Sequence, residues 1–153
     1  MNASSLAFAT PAAPSRIALD DGRQRVDYER LDELVAEEAD WLAASGERFA
    51  LLADNGLGWA IADLALHRQQ LPSVPLPGFF TPAQIRHALD AAGIDGLLTD
   101  DPSRMRGMLP GWRTAGVSGR TGLALFRRQL DASTRPSLPP GTAKVTYTSG
   151  STG

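Results

Sequence analysis

Apolar residues at Leu31, Val35, Ala39 and Leu42 recur at helical spacing, with Leu34 beside them, and Glu and Asp fill the positions between. This pattern predicts an amphipathic helix over "ERLDELVAEEADWLAA" with a solvated acidic face, its charges serving solubility rather than catalysis. Just upstream, "RIALDDGRQRVDY" holds two short β-prone runs around Asp20-Asp21-Gly22, a hairpin signal. Downstream, "RFALLADN" is a short apolar run and "LGWAIADLALHRQQ" is apolar almost all round. Together they read as a buried strand, a turn capped by Asp54 and Asn55, and a helix covering the sheet. "PSVPL" is a brief second strand. In "TPAQIRHALDAAG" the punctuation is complete: Thr81 caps, Pro82 takes the first helical position, Gln84 completes a capping box and Gly93 stops the helix. Its buried face is Ile85, Ala88, Leu89 and Ala92, and "IDGLLTD" is the next strand.

The signal weakens from residue 101 to about 142. "PSRMRGMLPGW" holds a short helix, "GLALFRRQL" reads equally as strand or helix, and "DASTRPSLPPGT" is a turn-rich connector. "AKVTYT" is then a strand candidate running directly into "SGSTG". The alternation of strands and helices predicts an α/β fold, a largely parallel sheet flanked by helices with a β-hairpin at its start.

Composition narrows this picture without redirecting it. The 153 residues suit one domain, drawn here over 16–153 behind a flexible lead-in, 1–15, rich in Ala, Ser and Pro. A formal charge of -2 supplies no positive field for nucleic acid or an anionic membrane, so neither is an expected partner. With no cysteine, disulfides, zinc–thiolate sites and thiol nucleophiles drop out. The opening residues lack a basic n-region and no stretch reaches membrane-spanning length, which makes a cytoplasmic location the expectation. His67 and His87 fall on helices without a ligand set around them, Asp100-Asp101 is a strand-end turn, and Trp41 and Trp59 are core positions. No catalytic residue and no metal ligand is assigned.

Candidate chemistry concentrates in "TSGSTG". Gly150 and Gly153 permit close backbone approach, while Thr148, Ser149, Ser151 and Thr152 offer hydroxyls. Successive amides in such a loop can converge on an anion. Alone, the same residues would equally make a flexible linker or a turn. The loop lacks the GxxxxGK[ST] pattern, and no GxGxxG follows the first strand; "GLGWA" at 56–60 belongs to a turn into a helix.

"YTSGSTG" resembles the phosphate-binding signature of the adenylate-forming superfamily, which includes acyl- and aryl-CoA ligases, nonribosomal peptide adenylation domains and luciferases. "IALDDGRQRVDYERLDELVAEEADWL", "FALLADNGLGWAIADLALHRQQLPSVPL" and "AQIRHALDAAGIDGLLTD" are similar to its opening segments in the same order, covering roughly 16–100 and 143–153. The fold implied is part of the N-terminal, large AMP-binding domain. By this resemblance Thr148, Ser149, Gly150, Ser151, Thr152 and Gly153 bind the phosphates of ATP, with Mg2+ as a further cofactor whose ligand is not in this chain.

The implied reaction joins a small-molecule carboxylic acid to AMP, releases pyrophosphate, and passes the acyl group to a thiol such as CoA or a carrier protein. Two departures stand out. Gln70-Leu71-Pro72 replaces the family's usual small residues, and the signature stops before its usual Pro-Lys-Gly. The chain is therefore expected to be an N-terminal fragment truncated within the phosphate loop, inactive alone, with an exposed sheet edge or apolar face that favours self-association. The alternatives are a non-catalytic remnant, or a half-enzyme completed by a partner chain. An unrelated α/β binding module is a third reading.

Overall fold

In the first hairpin, the Oδ1 atom of Asp20 accepts the Gly22 amide at 2.9 Å and that of Asp21 accepts the Gln24 amide at 2.8 Å. Gly22 sits at φ +82°, where a side chain would be strained. The turn joins β1 (Ile17–Asp20) to β2 (Arg25–Asp27), antiparallel. The computed structural model describes residues 13–147. Residues 1–12, most of the expected lead-in, and 148–153, the whole phosphate signature, lie outside the described residues; Ala13–Arg16 form a turn.

The remaining elements are α1 (Tyr28–Ala43), β3 (Phe49–Leu52), α2 (Leu57–Arg68), β4 (Ser73–Pro75), α3 (Pro82–Ala91), β5 (Gly96–Thr99), α4 (Pro102–Met108), β6 (Arg113–Val117) and β7 (Ala124–Arg127). The anticipated capping box of α3 is present in full: the Thr81 hydroxyl accepts the Gln84 amide and the Gln84 side chain accepts the Thr81 amide.

The five-stranded sheet has the order β4-β3-β5-β7-β6. Strands β4, β3 and β5 are mutually parallel, β7 is antiparallel to β5, and β6 is antiparallel to β7. Thus β6 again points with β3, and only β7 runs against the rest. Alternation along the strands splits the core in two. Phe49, Leu51, Leu98 and Leu125 face α1 and α2, where they meet Leu31, Val35, Leu42, Ile61 and Leu66. Ala50, Leu52, Leu97 and Phe126 face α3 and α4, against Ile85, Leu89, Met105 and Leu109. Every residue of β3 and β5 is buried, as expected for central strands covered on both faces.

Four sequence expectations change. First, β7 is a strand and β6, unanticipated, pairs with it; "RTAGV" is exposed along its whole length, so no burial alternation marks it. Second, within the expected strand "AKVTYT" the described residues 143–147 make a single parallel bridge, Ser73 to Lys144, and no strand. Its ladder stops because the next outward donor on β4 would be Pro75, which has no N–H. Third, Trp41 and Trp59 are half-buried at the rim of the α1–α2 cluster. Fourth, the acidic face of α1 is not wholly solvated: Glu38 is fully buried. Gln70, in the departure noted above, adopts φ +54°, a left-handed conformation that a glycine would take without strain.

Candidate functional site

Parallel strands β3, β4 and β5 bring Leu52, Pro75 and Thr99 to one carboxyl edge, the usual place for ligands in an open α/β sheet. The turns beyond it are tied to one another. The Asp54 amide donates to Asp100 Oδ2 at 2.8 Å, and the Asp101 amide donates to the Thr99 hydroxyl at 3.1 Å. Asp101 caps α4 by accepting the Arg104 amide at 3.0 Å, while the Arg104 guanidinium donates to the carbonyls of Gly78 and Phe80 at 3.2 and 3.0 Å. Asp100-Asp101 is thus a strand-end turn, as the sequence indicates. Asp54 and Asn55, however, do not cap α2. Gly56 is the N-cap residue and makes no side-chain bond, because Asp54 lies two positions too early to reach the first-turn amides.

A cleft of about 440 Å3 opens among these turns, lined by Leu52, Asp54, Gly78, Thr99, Asp100, Asp101 and Arg104. Three carboxylates face one guanidinium whose donors already serve two carbonyls. Such acidic walls oppose a polyphosphate unless another segment supplies donors. Among the described residues no group of three or more His, Asp or Glu is arranged to hold a metal ion. His67 and His87 are exposed on α2 and α3.

A larger cavity, about 590 Å3, lies at the opposite, amino edge beside Arg48, His67, Arg68 and Pro72. Burial first, and then the neighbouring Arg135 charge, lowers the Arg48 guanidinium pKa. Its Nη1 atom is engaged by the carbonyls of Ala92 and Pro136. In open α/β sheets, however, ligands usually bind at the carboxyl edge, away from this cavity.

The β6–β7 loop closes that edge on its far side. Ser118 Oγ accepts the Arg120 and Thr121 amides, both at 3.2 Å, and donates to Glu38 Oε2 at 2.5 Å; Arg120 Nε reaches the same oxygen at 2.8 Å. The loop rests on the start of α2 so closely that a Cβ on Gly58 would lie 2.4 Å from the Thr121 carbonyl oxygen. Sequence reasoning missed Glu38 and the loop. The only available signal was a charged residue beside Ala39 on the border of the apolar stripe.

Residues 143–147 bring the chain to the same edge from β4. Ser73 donates its amide to Ala143 O at 3.0 Å and accepts that of Val145 at 2.9 Å. Since the bridge is parallel, the chain beyond Lys144 travels with β4 toward the carboxyl edge. Val145 and Tyr147 pack on the α3–α4 cluster, and the Tyr147 hydroxyl donates to Ala88 O at 3.1 Å. Burial raises this phenol above its ordinary pKa of 10.0. On the other face Lys144 Nζ lies 2.7 Å from Asp63 Oδ2 on α2. All six expected phosphate-binding residues, Thr148, Ser149, Gly150, Ser151, Thr152 and Gly153, follow directly and lie outside the described residues.

Comparison with known proteins fits this arrangement. A family model described as AMP-binding enzyme matches residues 8–153. No curated protein matches the chain. Among solved structures, the O-succinylbenzoate coenzyme A synthetase of Bacillus subtilis in complex with AMP aligns with a TM-score of 0.65 at 21% identity, over 94% of this chain and 38% of that one. The same enzyme in complex with ATP and magnesium ion aligns at 0.55 and 27% identity, over 60% and 26%. The Vibrio cholerae adenylation domain AlmE, in complex with glycyl-adenosine-5'-phosphate, gives 0.59 and 23% identity, over 65% and 20%. This chain therefore spans well under half the length of the structures it matches. It belongs to the AMP-binding enzyme family.

Proposed function

We propose that this member of the AMP-binding enzyme family is the N-terminal part, over 16–153, of the large domain of an ATP-dependent, AMP-forming carboxylate ligase. In this reading Thr148, Ser149, Ser151 and Thr152, with the amides around Gly150 and Gly153, hold the β- and γ-phosphates of ATP. The carboxylate of a small organic acid attacks the α-phosphate, the bond to the β-phosphate breaks, and pyrophosphate leaves with the charge the loop neutralises. The thiol of CoA or a carrier protein then attacks the acyl carbonyl, the bond to the adenylate oxygen breaks, and AMP leaves as the thioester forms. Such a transfer needs positioning and charge neutralisation rather than a protein nucleophile, which suits a loop of hydroxyls and amides. The ATP and magnesium of the synthetase structure belong to that protein and are carried over here as part of the proposal.

The observation that supports the reading best is the parallel bridge at Ser73 and Lys144, because it directs the chain up to Tyr147, next to the signature, toward the carboxyl edge. The edge itself is acidic, so a polyphosphate there depends on donors from that signature. Matched structures extend far beyond this chain's length, and the complete reaction is accordingly proposed for the whole enzyme, with these 153 residues inactive alone.

Two measurements test it. ATP–pyrophosphate exchange by the protein isolated from its native cell, screened over carboxylic acids, reports the reaction class. Binding of a fluorescent ATP analogue reports the site, and Ser151→Ala with Thr152→Val should weaken it about 100-fold, two lost hydrogen bonds to a charged group at about 1.5 kcal/mol each. Unchanged analogue affinity in the double variant would refute the assignment of the loop.

A further inference from the structure

We infer that Lys144 and Asp63 form a positioning pair that sets where the chain enters the phosphate signature. Backbone anchorage there is slight. Only two hydrogen bonds, Ser73 to Ala143 and Val145 to Ser73, tie residues 143–147 to β4, and Pro75 prevents a third. Side chains on opposite faces of the edge decide the rest. Lys144 turns to the α2 face and meets Asp63 at 2.7 Å, whereas Val145 and Tyr147 turn to the α3 face. A slip of one residue would carry Lys144 into the apolar α3–α4 cluster and turn Val145 out of it.

Lys144 is the chain's single lysine, and its partner carboxylate is largely shielded, with 16% of the Asp63 side chain exposed. An ion pair this close to solvent adds little to global stability. Its consequence is local. It selects one register for a segment that the sheet ladder leaves under-determined, three residues before the Tyr147 anchor and four before the signature begins. Lys144 and Asp63 touch no substrate in this scheme; they act through the backbone of 145–147. The functional part of this inference rests on reading 148–153 as the phosphate-binding segment.

Hydrogen exchange on the full natural protein, combined with ATP kinetics, separates the two claims. Asp63→Asn and Lys144→Met should each raise exchange at the Ser73 and Val145 amides about 5-fold, leaving α1 amides unchanged as a control for folding. The apparent KM for ATP in pyrophosphate exchange should rise by a similar factor with kcat little altered. Lys144→Arg, and the reversal Asp63→Lys with Lys144→Asp, should restore protection and KM. Unchanged exchange at Ser73 and Val145 overturns the pair. Raised exchange with an unchanged KM in an active enzyme overturns its link to the phosphate segment. A protein with no ATP-dependent reaction sinks the proposed function, while the exchange data still decide the pair by themselves.

Discussion

Replacing Glu38 by Ala removes the buried acceptor that ties α1 to the β6–β7 loop, leaving only the exposed Glu37 carboxylate 4.0 Å from Arg120. Glu38 is fully buried, and its Oε2 atom takes both the Ser118 hydroxyl and the Arg120 Nε–H, 80 and 82 positions away in sequence. Arg120 also lies over the Trp41 ring, 5.8 Å from its centroid. Deleting one member of a buried pair typically costs about 3–5 kcal/mol, since the other charge loses its partner. Here 23% of the Arg120 side chain remains exposed, so water can take over part of the solvation. The lower end, about 3 kcal/mol, is the expected cost. Glu38→Gln keeps the volume and an acceptor but loses the charge, and should cost about 1–2 kcal/mol.

Urea unfolding followed by tryptophan fluorescence measures this directly. With a slope near 2 kcal/mol per molar, the Glu38→Ala midpoint should fall by about 1.5 M at unchanged slope. Glu33→Ala is the control, because Glu33 pairs with Arg30 in the open, both side chains 55% exposed, and such pairs contribute about 0.5 kcal/mol. Glu38→Met with Arg120→Met should recover most of the loss, as apolar replacement of a whole buried pair usually does. If Glu38→Ala falls no further than Glu33→Ala, the buried carboxylate does not hold the loop.

Three further outcomes follow from the same geometry. Gly58→Ala should destabilise by about 1–3 kcal/mol, because its Cβ would meet the Thr121 carbonyl oxygen, whereas Gly107→Ala in α4 meets nothing within 4 Å and should gain about 0.5–1 kcal/mol; calorimetric midpoints that move in the same direction would contradict this. Asp20 is held below its ordinary pKa of 3.8 by the Gly22 amide and then by Arg25, and Asp21 by the Gln24 and Arg23 amides. Their folded values lie below the unfolded ones, so the turn's stabilisation is complete above that range and disappears as pH falls through the folded values. NMR titration of the Gly22 and Gln24 amides should therefore give midpoints below 3.8. Finally, β6 is an edge strand exposed throughout, with Val117 63% exposed, so the chain should associate as concentration rises and Val117→Lys should suppress this. A monomer at all concentrations in sedimentation velocity would count against it.

Elements whose signals are local were legible. Thr81, Pro82, Gln84 and Gly93 specify the ends of α3 without reference to the rest of the chain, and the Asp20-Asp21-Gly22 turn does the same for the first hairpin. Contacts between distant segments were not. Helical periodicity assigns charged positions of α1 to solvent, and it does so correctly for Asp32, Glu33, Glu37 and Asp40. It misplaces Glu38, because what buries that residue is a loop some eighty positions later whose leading strand, β6, carries no alternation.

The candidate site shows the same division. Its residue types point to an anion-binding loop, and its resemblance to a known signature is carried by those types alone. Whether "AKVTYT" extends the sheet depended on Pro75, seventy positions upstream, which denies the edge its next donor. With that ladder denied, the direction of the chain rests on one bridge, and its register on Lys144, Val145 and Tyr147 facing alternately away from and into the apolar cluster. A strand would have placed the loop through many equivalent bonds, each loss small. One bridge with two side-chain anchors makes the approach to the carboxyl edge sensitive to single residues. Variation at Asp63, Lys144 or Tyr147 should accordingly change nucleotide affinity more than it changes the stability of the fold.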